Sequence, residues 1–449
     1  MTAMARKNTS AEPTGAGGGA GAPGGPAAST PWARLGRRLA ALWPPGRAER
    51  GLMAMALADA TGTGAFLSVS VVFLTRSVGL SASQVAVGLS LAAGVGLVTT
   101  VPVAMFADRF GPRRLLVLVT LWRAACFVVY PFVPDFTSFV VLMVLMGLVD
   151  KAAAPLGQVL VGMAVPEDAR VRTMAVMGAV RNCGYAGGAL LGSLALLVDH
   201  WSGYAAVILA NAASFVGLAV IAGRLPLRPG ATADASRLRR TLSFDVFKDR
   251  PYVVLALLNG ALTMHITLLS VGIPMWVTQE SQAPRSTVSA VVVLNAVLAV
   301  LFQVRASRGA EELPTAARLM RTAGLALAGC CVLLAAVPRL PAVPAVAVLL
   351  ASAVALTAGE LLQSAGGWGV SYGLARKGQE SAYVSLFWLS VGLQQIIAPL
   401  VVALVVSRGA LAWLLVGAVL AAAGAVAPRS VGWAVRDRET QRHRHDEEN

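Results

Sequence analysis

Long apolar runs separated by short polar stretches make up most of the chain from about residue 50 onward. Windows of roughly 20 residues, the length that crosses about 30 Å of hydrocarbon, predict twelve spans. The first six are 51–74, 84–106, 114–134, 137–162, 174–198 and 203–223, and the second six are 251–277, 287–304, 316–337, 343–371, 381–407 and 410–428. The runs are long, and they are not short segments of alternating polarity separated by turns, so they predict helices and not the strands of a barrel. The expected fold is an all-α membrane protein with twelve transmembrane helices.

Polar segments at the ends and in the middle predict the domain boundaries. Residues 1–49 include a run of Gly, Ala and Pro that cannot bury enough apolar surface to fold, and we expect a disordered cytoplasmic tail there. A basic segment, 224–250, is the predicted cytoplasmic linker between two six-helix halves, 50–223 and 251–428. The charged residues 429–449 form the predicted C-terminal tail, also cytoplasmic.

Composition and charge placement support a multi-pass protein of the cell membrane. Of the 449 residues, 56% are hydrophobic and 13% are charged, whereas soluble proteins are about one quarter charged. With both termini in the cytoplasm, roughly 30 of the 37 Lys and Arg residues lie on the inner side. The net charge of +15 is therefore explained by topology and by attraction to anionic membrane lipid, and no nucleic acid partner is expected.

The polar stretch "DRFGPRR" interrupts the apolar pattern between the second and third spans. Gly111 and Pro112 predict a sharp reversal, and Asp108 opposes the negative end of its own helix unless it pairs with Arg113 or meets another helix. The stretch resembles the signature loop of the major facilitator superfamily, at Asp108, Arg109, Gly111, Arg113 and Arg114. The resemblance implies two pseudo-symmetric halves and a conformational latch in this loop.

Two departures from the family pattern accompany this resemblance. Ala104 stands where the family usually has glycine, and the loop between spans eight and nine keeps Arg305 and Arg308 but has no recognisable acid-glycine-base core. The alternative interpretation of "DRFGPRR" is a simple cytoplasmic anchor.

Glycines cluster in span five, in "GYAGGALLG". Small residues at helical spacing let two membrane helices approach closely, which predicts packing through Gly184, Gly187, Gly188 and Gly192. The run loosely resembles the fifth-helix motif of the drug:proton antiporters of the superfamily. That resemblance favours export.

Ionisable residues inside the spans are the candidate functional residues, because a charge in hydrocarbon is costly and normally faces a partner or water. In the first half they are Asp59, Arg123, Asp150, Lys151 and Arg181, and each lies on the order of 10 to 15 Å from the cytoplasmic end of its span. We expect a buried network, in which Asp150 or Lys151 pairs with Arg181. By the resemblance, Asp59 and Asp150 lie near the substrate path; alternatively, Asp59 bonds to Thr61 or Thr63.

The second half offers fewer ionisable residues. Glu360 has no basic residue on its own helix, which makes it the predicted proton carrier of this half. His265 is either a coupling residue or an interior histidine with satisfied hydrogen bonds. Four tryptophans are expected to anchor at the lipid interface or to stack on a ligand: Trp276, Trp368, Trp388 and Trp413.

These features predict a secondary active transporter that exports drug-like or secreted small molecules against protons by alternating access. The alternative is an ion-coupled importer of a small nutrient. An anionic nutrient is suggested by the three bases against two acids inside the spans of the first half. A membrane enzyme is disfavoured because no hydrolase, zinc-protease or phosphate-binding motif occurs. The expected partners are the substrate, protons and lipid; we expect a monomer with no cofactor and no metal.

Overall fold

A computed structural model describes residues 46–198, 200–228, 244–376 and 378–447. Within these residues the chain forms twelve helices of membrane-spanning length. They are α1 (Arg47–Ser77), α2 (Ala82–Phe110), α3 (Pro112–Phe132), α4 (Phe136–Ala164), α5 (Arg170–Val198), α6 (Trp201–Arg224), α7 (Arg250–Glu280), α8 (Ser286–Ala306), α9 (Leu313–Arg339), α10 (Ala342–Gly373), α11 (Glu380–Arg408) and α12 (Ala410–Glu447). The predicted tail up to residue 45 and the linker at 229–243 lie outside the described residues.

Eleven of these helices are long and apolar enough to cross a membrane, judged within the described part of the chain. Helix α5 is not among the eleven. It carries Arg181, Asn182 and several glycines, which lower its mean hydropathy. Arg181 and Asn182 line a cavity, and most of the glycines pack against a neighbouring helix. The polar and small residues of α5 therefore lie inside the bundle and not against lipid.

Local sequence signals explain where several helices begin and end. Ser81 and Gln84 form a reciprocal cap at the start of α2, with Gln84 N donating to Ser81 Oγ over 3.2 Å. Helix α2 ends at Gly111, whose φ of +96° lies where only glycine is unstrained, and Pro112 then begins α3. Asp135 caps α4 through Ser138, and these hydrogen bonds hold the pKa of Asp135 below its usual range.

Helix α4 is interrupted near its middle, where the sequence predicts one continuous span. Its first segment ends at Asp150, and its second begins at Ala153. Pro155 lies in the first turn of the second segment; it has no N–H to donate to the carbonyl of Lys151, and in a continuous helix its ring would clash with that carbonyl. Asp150 is the last residue of the first segment and Lys151 lies in the break, and both lie on the wall of the cavity described below.

Helix contacts repeat after six helices, as the resemblance implies. Helix α1 contacts α5 and α6, and α7 correspondingly contacts α11 and α12. The pairs α2–α4 and α3–α6 have counterparts in α8–α10 and α9–α12. Between the halves, α2 contacts α11 and α5 contacts α8, which are equivalent pairs under the same exchange. The two halves are thus built alike and meet through equivalent helices.

The last helix extends beyond the boundary predicted from sequence. Residues 410–428 were the expected final span and 429–449 a separate charged tail, but α12 continues through Pro428 to Glu447. Arg438 on this extension bonds Asp249, which caps α7, with Nη2 3.3 Å from Oδ2. A buried carboxylate on α7 therefore holds the extension against the second half.

Buried apolar residues form separate cores in the two halves, and two of the predicted interface tryptophans belong to the second core. Trp276 and Trp413 are fully buried, with ring centroids 5.8 Å apart. Trp276 Nε1 donates to the carbonyl of Leu334 over 2.9 Å, so its polar atom is satisfied inside the protein. The expectation of lipid-interface anchoring is wrong for both.

Candidate functional site: a charged cavity between the halves

A cavity of about 620 Å³ lies between the two halves. Helices of both halves line it, and its wall carries three carboxylates and three basic groups: Asp59, Asp150, Glu360, Arg123, Lys151 and Arg181. The five ionisable residues that the sequence places at one depth in the first half thus all reach the same space. The apolar part of the wall includes three methionines and two tryptophans, Met55, Met174, Met177, Trp368 and Trp388.

Four of the charged side chains form a chain of ion pairs on the wall of the first half. Arg123 lies between two acids, with Nη1 3.7 Å from Asp59 Oδ1 and Nη2 3.3 Å from Asp150 Oδ1. Arg181 Nη2 lies 3.9 Å from Asp59 Oδ2. The chain contains two positive and two negative groups, so it is neutral as a unit. Such pairing lowers the cost of holding charges inside a membrane protein.

The pairing differs from the sequence-based expectation. Arg181 pairs with Asp59 and not with Asp150 or Lys151, because Asp150 at the end of the first segment of α4 reaches Arg123 on α3. Asp59 likewise meets two arginines and not the hydroxyls suggested as an alternative. Arg181 also donates from Nη2 to Tyr185 Oη over 3.2 Å, which fixes the guanidinium on the cavity wall.

Lys151 and Glu360 stand apart from this chain. Lys151 Nζ donates to Gln395 Oε1 on α11 over 3.0 Å, a contact between the halves. Glu360 Oε2 accepts from Asn295 Nδ2 on α8 over 2.8 Å. Among the described ion pairs, neither residue has a partner of opposite charge.

Gln158, on the second segment of α4, joins the first half to the second. It is buried, its Nε2 donates to Ser371 Oγ over 2.7 Å, and its Oε1 accepts from Trp388 Nε1 over 2.8 Å. The hydroxyl of Tyr372 donates to its backbone carbonyl. Sequence reasoning missed this residue because it did not examine the amide side chains of α4. A buried amide in an apolar span needs partners for the same reason as a charge, and that signal was available.

Contacts between the halves concentrate at one end of the bundle. We define the Gly111 end as the end that carries the Gly111 turn and the segments Glu167–Ala169 and Phe244–Lys248. The apolar clusters that cross the halves among the described residues both lie toward this end: Val101 and Met105 with Ala382, and Val171 with Ala310 and Ala365. The cavity is therefore closed toward the Gly111 end.

The predicted latch residues lie at that end. Gly111 makes the turn, and the guanidinium of Arg109 lies 5.6 Å from the centroid of the Phe110 ring. Arg113 and Arg114 occupy the first turn of α3. The side chain of Asp108 lies outside the described part of the structure. A latch function for these five residues remains a prediction.

His265 does not reach the cavity. It is buried in α7, and its Nδ1 lies 3.0 Å from the carbonyl oxygen of Leu262. Four of the five residues predicted for coupling or substrate contact therefore line the cavity, and His265 lies elsewhere in the second half. Its position matches the alternative interpretation, an interior histidine with a satisfied ring nitrogen.

Three of the four predicted glycines form a close seam between α5 and α1. A methyl group at Gly184, Gly188 or Gly192 would come within 3.0 Å of α1 atoms of Ala60, Thr61 or Ala65. Gly187 is not part of this seam, since a methyl group there would meet nothing within 4 Å. The spacing explains the difference: residues four apart share a helix face, whereas Gly187 is turned by about 100° from Gly188.

Two six-helix halves around a shared charged cavity define a multi-pass membrane protein of the transporter class. Residues 52–359 match the sequence model of the Major Facilitator Superfamily, which is more than half of the chain, and the chain belongs to this family. Members of the family are transporters and not enzymes, and the fold and family indicate secondary transport by alternating access. The drug:proton antiporter subtype is not established by these matches.

Solved structures show the same fold at low sequence identity. A bacterial homologue of the iron transporter ferroportin, in an outward-facing state, gives a TM-score of 0.66 at 14% identity, covering 86% of this chain and 99% of that one. The human organic anion transporter MFSD10 (TETRAN) gives 0.58 at 16% identity, covering 87% and 100%. The proton:xylose symporter XylE gives 0.59 at 13% identity, covering 85% and 93%. No curated protein sequence matches the chain.

Proposed function

We propose that the protein exports drug-like or secreted small molecules in exchange for protons, with the charged cavity as its substrate site. The observation that carries this proposal is the shared wall: six ionisable groups and an apolar lining of methionine and tryptophan face one space between the halves. A cavity of this size lies in the range that holds a small organic ligand, roughly 300 to 1,000 Å³.

Orientation follows from charge in this proposal. With roughly 30 of the 37 basic residues on the Gly111 side, that end faces the cytoplasm of the cell and both termini lie there. The closed Gly111 end then corresponds to a state open to the outside. Loss of the contacts at Gln158 and gain of contacts at the other end would expose the same site to the cytoplasm.

Glu360 is the proposed proton carrier. Protonating Asp59 or Asp150 would break ion pairs with Arg123, whereas Glu360 is held by an amide and loses no ion pair when it becomes neutral. Protonation from the more acidic outer side would remove one charge from the cavity and change which arrangement of the halves is favoured. Release of that proton to the cytoplasm would restore the charge.

The anionic-nutrient alternative loses its main support. It rested on three bases against two acids in the first half, but Glu360 of the second half lines the same cavity. The wall therefore carries equal numbers of both signs. Import of some other nutrient stays open to the transport test below.

The test uses proteoliposomes that contain a pH-sensitive dye and an imposed proton gradient. Compounds from a growth-inhibition panel are added, and proton movement is recorded for the unaltered protein, Glu360→Gln, Asp59→Asn and Glu280→Gln. Glu280 is an exposed carboxylate at the end of α7, so its variant is the matched control. We expect compound-dependent proton movement that Glu360→Gln abolishes and Glu280→Gln leaves intact. Full gradient-dependent flux in Glu360→Gln would contradict the assignment of Glu360 as the carrier, and loss of flux in Asp59→Asn alone would assign the proton to the ion-paired residues instead.

A further inference from the structure

The charges on the cavity wall sort into a neutral unit and two isolated groups. Asp59, Asp150, Arg123 and Arg181 are joined by three ion pairs and cancel one another. A ligand group that approached one of them would have to compete with a fixed partner inside the protein. These four residues are therefore poor primary binding groups for a charged ligand.

Lys151 and Glu360 are the cavity charges that no opposite charge in the described ion pairs satisfies. Each is bonded to a neutral amide, Gln395 for Lys151 and Asn295 for Glu360. An amide partner orients a charged group but leaves its charge uncancelled. A ligand group of opposite charge adds a Coulomb attraction that a neutral amide cannot supply, so such a group can replace the amide.

The two groups belong to opposite halves and have opposite sign. Lys151 lies at the break in α4, and Glu360 lies on α10. The wall that they share also carries the methionines and tryptophans of the apolar lining. A ligand that used both charges would therefore have an anionic end, a cationic end and an apolar body.

We propose that the substrates are amphipathic zwitterions, with a carboxylate bound by Lys151 and an ammonium group bound by Glu360. This assignment rests on the proposed transport function and names the substrate class of the same site. Binding at Lys151 would also displace Gln395, which is one of the contacts between the halves. The ligand carboxylate would thus weaken the arrangement seen here, while its ammonium group would compete with the proton for Glu360.

Thermal stabilisation of the purified full-length protein measures ligand binding without requiring transport. The probes are phenylalanyl-phenylalanine as the zwitterion, its methyl ester as the cation, its N-acetyl acid as the anion and its N-acetyl methyl ester as the neutral form. The same four forms of 12-aminododecanoic acid supply a second apolar scaffold. We expect the zwitterion of at least one scaffold to bind about ten- to a hundred-fold more tightly than its blocked forms.

Two variants separate the contributions of the two charges. Lys151→Met should remove the preference for the free acid over the methyl ester and keep the preference for the free amine. Glu360→Gln should do the reverse. Glu280→Gln, outside the cavity, should change neither preference, and the melting temperature without ligand reports whether each variant is folded.

The outcomes also separate this assignment from the proposed proton coupling. If no zwitterion binds, or if an ester or an N-acetyl form binds equally well, the zwitterion assignment is wrong even where cations still drive proton movement. A zwitterion preference that both variants alter as described would support the assignment even where no proton movement accompanies binding. Zwitterion binding without proton movement would contradict the proposed proton coupling and leave the substrate class supported.

Discussion

Replacement of Gln158 by alanine should open the Gly111 end of the bundle. The side chain makes two hydrogen bonds to the second half, 2.7 Å to Ser371 Oγ and 2.8 Å to Trp388 Nε1. Its truncation removes both and leaves the indole N–H of Trp388 without this partner. The lost bond to Ser371 is worth about 0.5 to 1.5 kcal/mol, and leaving the half-buried indole donor of Trp388 unpaired costs about 1 to 3 kcal/mol.

Together these losses should destabilise the arrangement seen here, with the Gly111 end closed, by about 2 to 4 kcal/mol. If these bonds are absent when the Gly111 end opens, the balance between the two arrangements shifts on the order of 30- to 1,000-fold toward opening. A shift of that size moves a rare state to one that a distance measurement can detect.

Pulsed electron paramagnetic resonance is the suitable assay. Spin labels are placed by Asp168→Cys and Glu312→Cys, two exposed positions at the Gly111 end in opposite halves, after replacement of the native cysteines. Gln158→Ala should add a population with a longer distance between the labels. Gln363→Ala is the matched control, since Gln363 is a buried amide whose bond to Asn259, 2.6 Å long, stays within the second half. An unchanged distance in Gln158→Ala, or an equal change in Gln363→Ala, would refute the role of this residue.

Two predictions concern packing and buried charge. Gly188→Leu should sharply reduce the yield of folded protein, because the new side chain would collide with α1, whereas Gly187→Leu should be tolerated. Size-exclusion chromatography of the two variants measures the yield of folded protein. Equal yields would contradict the close packing of α5 against α1. Asp249→Asn should lower the melting temperature through loss of a buried partner for Arg438, worth about 3 kcal/mol, while exposed Glu380→Gln should have little effect. A melting temperature unchanged by Asp249→Asn would show that this ion pair adds no stability.

The sequence predicts much of the fold because membrane length and hydrophobicity set the helices. Gly111 and Pro112 were identified as a turn for local backbone reasons, and the turn is present at that position. The sequence also predicts that the ionisable residues of the first half lie together, because a charge in hydrocarbon needs a partner or water. That cost applies to each residue separately and so can be estimated without a tertiary structure.

Other features depend on which helix faces meet, and the sequence leaves those open. Hydropathy cannot separate a lipid-facing tryptophan from a buried one, since lipid tails are as apolar as a protein core; Trp276 and Trp413 were misplaced for this reason. The pairing of Arg181 with Asp59 depends on the packing of α5 against α1. The break at Lys151 and Ala152 was missed although Pro155 lies four residues after Lys151.

The central claim is that one cavity is exposed to the two sides of the membrane in turn. Ser364 lines the cavity on α10, and Ser364→Cys in a background without other cysteines provides a reporter there. A membrane-impermeant thiol reagent is applied to each side of oriented vesicles, and Gln158→Ala is then added to favour opening of the Gly111 end. The account predicts that labelling falls from the side opposite Gly111 as it rises from the Gly111 side. Labelling that rises from both sides together, or that occurs from neither, would contradict it.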